Sequence, residues 1–378
     1  MAEVSIRPVR TRRELKRFVK VPFDLHRDSP QWVPPLIFER MEFLNRKKNP
    51  WFEHGEAEYF LAERDGRPVG RITAQIDEMW DESQGGSDAM FGFFESAEDP
   101  EVAGALLDAA AEWARSRGRS RILGPMDFTT NDEAGILIEG YELPPMILEN
   151  WHPSYYKFLL EAHGFDKAMD LLMWELELGS LKEGARFDPS IHAAAEKALR
   201  DEGVVIRNIS MPNLADEMRH FSAVYNDAWA DNWGFVPATD AEIEFHAKTL
   251  KQVLDEDWAY IAEKDGEAIG AALTLPDINQ VMAKLGGRLL PFGWLKFLLG
   301  KRRIDRLRVF ALGVKHAYRH TGVAAGLYLK HLETAGKPGA IEGGDMGWIL
   351  ETNGPMNRAM EGMGGKVVKR YRIYKKAL

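Results

Sequence analysis

No cysteine occurs at any of the 378 positions. Disulfides, cysteine-ligated metals and a cysteine acyl-enzyme are thereby excluded. Positive charge is in the minority, with 49 Lys and Arg against 58 Asp and Glu and a net charge of −9. General binding to nucleic acid is not expected from that balance. No apolar run approaches the ~20 residues of a membrane span. The opening stretch MAEVSIRPVR lacks the apolar core of a secretory signal, so the expected location is cytoplasmic. The ten histidines show no HExxH or other paired spacing, and no Walker or Rossmann glycine loop is present. No metal is therefore expected. What remains is an ordinary globular composition, 45% apolar and 28% charged, in a chain long enough for two domains.

The most informative stretch is Arg308 to Ala335. Arg308–Val314 is a short apolar run that reads as a strand. Lys315–Thr321 is a polar loop carrying Lys315, His316, Arg319 and His320. Gly322 opens a run with Val323, Leu327 and Leu332 at helical spacing. Gly322, Ala324 and Ala325 are small enough to let a ligand reach the backbone. The first N–H groups of such a helix have no intrahelical acceptors and lie at the positive end of its dipole. Phosphate oxygens suit that position, and Arg319 and His320 can add donors from the side.

Arg319-His320-Thr321-Gly322-Val323-Ala324 resembles the (Gln/Arg)-x-x-Gly-x-(Gly/Ala) loop of the GNAT acyltransferases. That resemblance implies a pyrophosphate site for acetyl- or acyl-coenzyme A. The implied contacts are Arg319, His320, Thr321, Gly322, Val323 and Ala324, with backbone N–H groups of Leu312, Gly313 and Val314 holding the thioester oxygen.

The chain also repeats itself. Ala62-Glu63-x-Asp65-Gly66-x-x-x-Gly70 recurs as Ala262-Glu263-x-Asp265-Gly266-x-x-x-Gly270. Ile6-Arg7 recurs as Ile206-Arg207, and Gly164 as Gly364, all at an offset of 200 residues. Three matches at one offset point to a duplicated unit. The expected organisation is a first domain over residues 1–178, a linker over 179–189 and a second domain over 190–378. Each copy reads as mixed α/β, with antiparallel hairpins first and one parallel strand–helix–strand crossover later. Within the first copy, Met146–Leu148 reads as a short strand, and a helix is expected over Ile191–Leu199 after the linker. The order of elements resembles a GNAT domain in each half.

The halves differ at the crossover. Where the second copy has its basic, small-residue loop, the first has Glu95-Ser96-Ala97-Glu98-Asp99-Pro100-Glu101. Four carboxylates would repel a pyrophosphate, so only the second copy is expected to bind the coenzyme, and the first to supply a wall of the substrate cleft. Near the C-terminus, Asn353 matches the family Asn at a strand end, whereas Met360 stands where many GNAT enzymes carry a proton-donating Tyr. Pro30-x-Trp32-Val-Pro-Pro35, Asn226-Asp-Ala-Trp229, Asn232-Trp233-Gly-Phe-Val-Pro237, Arg308-Val-Phe-Ala-Leu-Gly-Val314 and Trp348-Ile-Leu-Glu351 make the chain similar to a bacterial tandem-GNAT family. Some of its members are linked to N-acylation of long-chain amines, as in bacterial ceramide synthesis.

These readings imply transfer of an acyl group from a coenzyme A thioester directly to an amine. Glu351, closing the strand beside the cleft, is the first candidate for the base, with Asn353 as its neighbour in the site. Asp345, His316 and His320 are weaker candidates. Two other readings stay open: a transferase taking an aminoacyl group from tRNA, and a non-catalytic coenzyme A binder. Trp229 and Trp233 read either as core or as pocket lining. The apolar segment Leu289–Leu299, followed by Lys301-Arg302-Arg303, reads as a helix packed on its own domain, as a lid, or as a contact over 289–303 with the inner membrane surface, and the basic cluster Lys301–Arg308 reads alternatively as a contact to the 3′-phosphoadenosine of coenzyme A.

Overall fold

The computed structural model describes residues 3–177, 189–336 and 341–378. The expected linker over 179–189 lies outside the described residues, except for Pro189. The Asp-Gly pairs of the repeat close two hairpins in the same way. Asp65 and Gly66 have φ of 52° and 72°, and Asp265 and Gly266 have 52° and 81°. A two-residue turn with both φ values positive matches the right-handed twist of the flanking strands, and Asp-Gly is a sequence that tolerates it. The first turn joins β2 (Gly55–Arg64) to β3 (Arg67–Asp77). Their register with β1 (Ser5–Pro8) puts Ile6 opposite Ala62. In the second half the strand Val205–Asn208 puts Ile206 opposite Ala262, the same pairing 200 residues later.

The first half continues through β4 (Asp88–Ser96), the helix Pro100–Arg115 and β5 (Arg121–Gly124). β4 is buried along its whole length. Its Phe91 and Phe94 join the cluster of Val102, Leu106 and Ala110 from that helix. Phe93 turns to the opposite cluster with Phe18 and Val19 of the helix Arg12–Leu25. That helix starts with a capping box between Thr11 and Glu14, a device worth ~1 kcal/mol. Two strands follow, β6 (Ile136–Glu139) and β7 (Asp166–Glu177).

Met146–Leu148, read from sequence as a strand, is irregular. Side chains take the hydrogen bonds a strand would have made. Ile147 donates its N–H to Asp277 at 3.0 Å, and its carbonyl accepts from Arg308 at 2.5 Å. The helix expected over Ile191–Leu199 is present and longer, α-helical over Pro189–Glu196 and continuing as a wider π-helical turn over Lys197–Asp201.

The second half supplies β8 (Val205–Asn208), β9 (Ala259–Lys264), β10 (Glu267–Pro276), β11 (Arg306–Val314), β12 (Gly343–Leu350) and β13 (Lys366–Ala377). Each half has one parallel pair, β4 with β5 and β11 with β12. All thirteen strands of the described residues join one sheet, in the order β1-β2-β3-β4-β5-β13-β7-β12-β11-β10-β9-β8, with β6 also on β13. The halves therefore exchange their last strands. β13 fills the place between β5 and β7, and β7 fills the place between β13 and β12. At the centre Leu171 pairs with Tyr371, the same 200 residues apart as the repeated motifs.

Candidate active site

Parallel pairing of β11 with β12 runs from Arg306–Gly343 to Val309–Met346 and stops. Both strands are irregular at that level. β10 pairs Leu273 with Ala311 and Thr274 with Val309, which leaves Phe310 as an extra residue in β11. β12 has its own shift against β7 between Met346 and Ile349. Extra residues bend a strand away from its neighbour, so the two strands part. Backbone groups beyond the break lose their strand partner on that side and become available to a ligand.

A cavity of about 810 Å³ passes through the gap, within the range of small-molecule sites. On one side of the sheet its wall is Tyr225, Trp229, Trp233 and Phe235, with Thr130 and Asn131 of the first half. Those two residues are tied in place. Thr130 donates to the Gly234 carbonyl at 2.6 Å, Asn131 donates to the Val236 carbonyl at 2.9 Å, and Tyr225 donates to Asn131 at 2.8 Å. The first half does contribute a wall of the cleft. On the other side the cavity runs under the helix Val323–Ala335, past Ala325, Tyr328, Leu332 and Ala335. Met356 and Ala359 of the helix Gly354–Gly362 face them, and Trp258, Leu307, Gly343 and Gly344 line the far end.

The loop before the helix Val323–Ala335 leaves its N-terminus open. Gly322 is the N-cap, with φ of 86° and no side-chain cap, and Gly322, Ala324 and Ala325 lie on the cavity wall. The matching helix in the first half is closed. Asp99 caps it by accepting from the Glu101 N–H, and Arg64 reaches over to Asp99 at 2.5 Å and Glu101 at 2.7 Å. The strand end beside it is filled as well. Glu95, where the second half has Gly313 opposite β10, is buried and accepts from Tyr156 at 2.7 Å, with His26 Nε2 at 2.7 Å. Burial opposes its ionisation, yet His26, Arg71 and His152 bring its pKa down to about 2.

Among the residues expected to hold the coenzyme, Leu312, Gly313, Val314, Arg319, Gly322 and Ala324 line the cavity. His320, Thr321 and Val323 do not. Val323 is in the core, and Thr321 donates to the Tyr318 carbonyl. Arg319 donates to the Ala228 carbonyl at 2.7 Å. It thereby braces the segment carrying Trp229, whose ring covers Gly313 so closely that a Cβ there would lie 2.2 Å away. Trp229 and Trp233 are both pocket residues.

The expected base is displaced. Glu351 is not on the cavity wall. Its carboxylate pairs with Lys167 at 2.6 Å and accepts the Asp170 N–H at 3.1 Å, fastening β7 to the end of β12. The turn after Leu350 points the side chain toward β7, away from the gap. Asn353 does line the cavity, and its side chain caps the next helix by accepting the Met356 N–H at 3.2 Å. Asp345 is buried against Lys369 at 3.0 Å, and burial pushes its pKa up to about 6. His316 sits between Asp227 and Asp231, whose hydrogen bonds raise its pKa and favour the protonated ring.

Tyr328 and His331 escaped the sequence reading, and Arg308 takes a place on the cavity wall that the sequence did not show. Arg308 is fully buried, lines the cavity and donates to the carbonyls of Ile147 and Gly347. Its guanidinium lies over the rings of Phe310 and Trp348, 5.7 and 5.2 Å from their centroids. Tyr328 enters from the helix opposite position 360, with its hydroxyl 3.0 Å from Met356 Sδ. Burial raises its pKa, so the hydroxyl keeps its proton. His331 is driven down to about 4 by burial. A carbonyl can only accept, so the 2.8 Å contact with Leu327 puts the proton on Nδ1. Nε2 then accepts from Thr274 at 2.8 Å. Among the described residues no cluster of three or more metal-ligating side chains occurs.

No protein-family model matches the chain. Over its full length it is 38% identical to the bacterial ceramide synthase of Caulobacter vibrioides, covering 98% of that protein. It is 36% identical to protein YghO of Escherichia coli over 99% of this chain and 95% of the relative. In fold it is similar to a tandem GNAT protein from the clavulanic acid biosynthesis pathway, with a TM-score of 0.57 at 14% identity, 99% of this chain and 98% of that one being covered. A GCN5-related N-acetyltransferase from Sphaerobacter thermophilus gives 0.51 at 12% identity, over 99% of this chain and 95% of that one. The chain is thus an acyltransferase of tandem GNAT fold and belongs to the family of the Caulobacter ceramide synthase and YghO.

Proposed function

We propose that the protein transfers a long acyl group from a coenzyme A thioester directly to an amine, a long-chain, sphingoid-like amine fitting the site best. One observation carries this reading. A single cavity joins an uncapped helix N-terminus, suited to a pyrophosphate, to an apolar arm under the helix Val323–Ala335 and to an aromatic wall on the other side of the sheet. The arm suits an acyl chain, and the aromatic wall suits the acceptor. The name of the Caulobacter relative supports the lipid reading.

In this scheme the amine nitrogen attacks the thioester carbonyl while a C–N bond forms. Backbone N–H groups near Leu312–Val314 that face the gap hold the developing oxyanion. The C–S bond then breaks, Tyr328 gives its proton to the thiolate sulfur, and the phenolate recovers one from the nitrogen that attacked, so that an amide and a free thiol result. An alkyl ammonium with pKa about 10 costs roughly 4 kcal/mol to deprotonate near pH 7. With Glu351 outside the cavity, the site itself lowers that cost. Burial in an apolar cavity disfavours the ammonium form.

Calorimetric titration with coenzyme A, acetyl-CoA and palmitoyl-CoA tests the reading. Palmitoyl-CoA should bind at least about tenfold more tightly than acetyl-CoA, a margin that two buried methylenes supply. Ala325→Glu, which puts a carboxylate at the helix N-terminus, should abolish binding of all three. Equal affinities would remove the acyl arm from the scheme. Full binding by the folded Ala325→Glu variant would remove the pyrophosphate site.

A further inference from the structure

Eleven large apolar side chains are exposed among the described residues, and six of them fall within ten positions: Leu290, Phe292, Trp294, Leu295, Leu298 and Leu299, at 44–77% exposure. The reason they sit together is helical geometry. In the helix Gly293–Gly300, Gly293, Phe297 and Gly300 face inward at i, i+4 and i+7. Phe297 packs with Leu289 on Leu36, Met282 and Leu285. Gly300 lies so close to Val281 that a Cβ would be 2.8 Å from its side chain. Positions 294, 295, 298 and 299 then point away from the protein. The tip before the helix is held by Trp294, which donates Nε1–H to the Pro291 carbonyl at 3.1 Å. The apolar face is built and anchored, and no described residue covers it.

Charge identifies its partner. From Lys284 to Arg303 the sequence carries Lys284, Arg288, Lys296, Lys301, Arg302 and Arg303 and no carboxylate, in a chain whose net charge is −9. Such a segment is attracted to an anionic surface while the acidic remainder of the molecule is held off, which fixes one orientation. A second copy of the chain is the weaker partner, because a two-fold contact would set the same cations of both copies against each other. No helix among the described residues is long and apolar enough to cross a membrane, so the contact is a seat on the surface. We propose that residues 284–303 dock the protein on an anionic lipid bilayer, with Leu290, Phe292, Trp294 and Leu298 entering the interface and the basic residues meeting the head groups. The segment runs directly into β11, whose Leu307–Val314 line the cavity.

The full chain is tested by flotation with vesicles of phosphatidylcholine alone and of phosphatidylcholine with phosphatidylglycerol, at low and at high salt. Two variants accompany it, Leu290→Ser with Phe292→Ser and Leu298→Ser, and Lys301→Glu with Arg302→Glu and Arg303→Glu. All six sites lie on the surface segment, so circular dichroism should show both variants folded. The wild type should float with the phosphatidylglycerol vesicles, lose that binding with added salt, and stay free of the neutral ones. Each variant should bind at least about tenfold less, since charge and apolar insertion act together. Failure of the wild type to float overturns the proposal, as does equal flotation of the variants. A concentration-dependent dimer by sedimentation equilibrium, lost in the serine variant, would overturn it in favour of a protein–protein face. None of these readouts depends on acyl transfer.

Discussion

At position 360 the helix Gly354–Gly362 carries a buried methionine, so the proton for a departing thiolate has to come from elsewhere. Tyr328 is the phenol on the cavity wall beneath the helix Val323–Ala335, and burial keeps it protonated, as a proton donor must be. Tyr328→Phe removes that one oxygen and leaves the ring packed between the two helices. The expected result is a fall in kcat of about a hundredfold with KM little changed, checked by steady-state kinetics. A thioester with a more acidic thiol should recover most of the loss, since its leaving group needs less help. An unchanged kcat would take the hydroxyl out of the chemistry. Gly322 is a poorer probe than its place in the loop suggests. A Cβ there would strike the Ala194 carbonyl at 2.0 Å, and φ is 86°. A side chain at 322 therefore reports on packing between two helices before it reports on phosphate.

The helix Val323–Ala335 roofs the apolar arm, and its cavity face is Ala325, Tyr328, Leu332 and Ala335. Leu332→Trp should fill the arm from above. Palmitoyl-CoA affinity should drop at least about tenfold while coenzyme A itself binds as before, because the lost space is at the acyl end. Equal loss for both ligands would mean that the helix had shifted as a whole. The strand, loop and helix of this crossover are legible in the sequence because each rests on local signals: an apolar run, small residues, a 3.6-residue period. The arm beneath the helix is not, because its end is made by Trp258, Leu307 and Gly343, brought together by strand pairing. The same holds for Glu351. The end of its strand could be read from sequence, but the side to which the next residue turns depends on Lys167 and the Asp170 amide, contributed by the other half of the chain.

For the whole molecule, the duplication is written in the sequence and the exchange of β7 and β13 is not. Alternating side chains tell which face of a strand is buried and say nothing about which copy supplies its neighbour. The consequence is that the halves share one sheet and should unfold together. A half-buried contact across them gives the test. His54 follows the 3-10 turn Pro50–Glu53 in the first half, with Nδ1 2.9 Å from Asp77 and Nε2 3.4 Å from Glu242 on the helix Asp240–Leu250 of the second. Burial works against its positive charge, but the two carboxylates prevail and raise its pKa from 6.5 to about 10. A group raised on folding contributes stability that is complete below its unfolded pKa and disappears as pH climbs through the folded value. His54→Gln should therefore lower Tm by a constant amount below about pH 6.5, and the gap between wild type and variant should narrow steadily toward pH 10. Differential scanning calorimetry across that range checks it. A gap independent of pH would mean that His54 is held neutral. If the shared sheet couples the halves, both proteins should melt in one transition at every pH, and the variant, weakened only at the junction, is the one in which two transitions would reveal halves that stand alone.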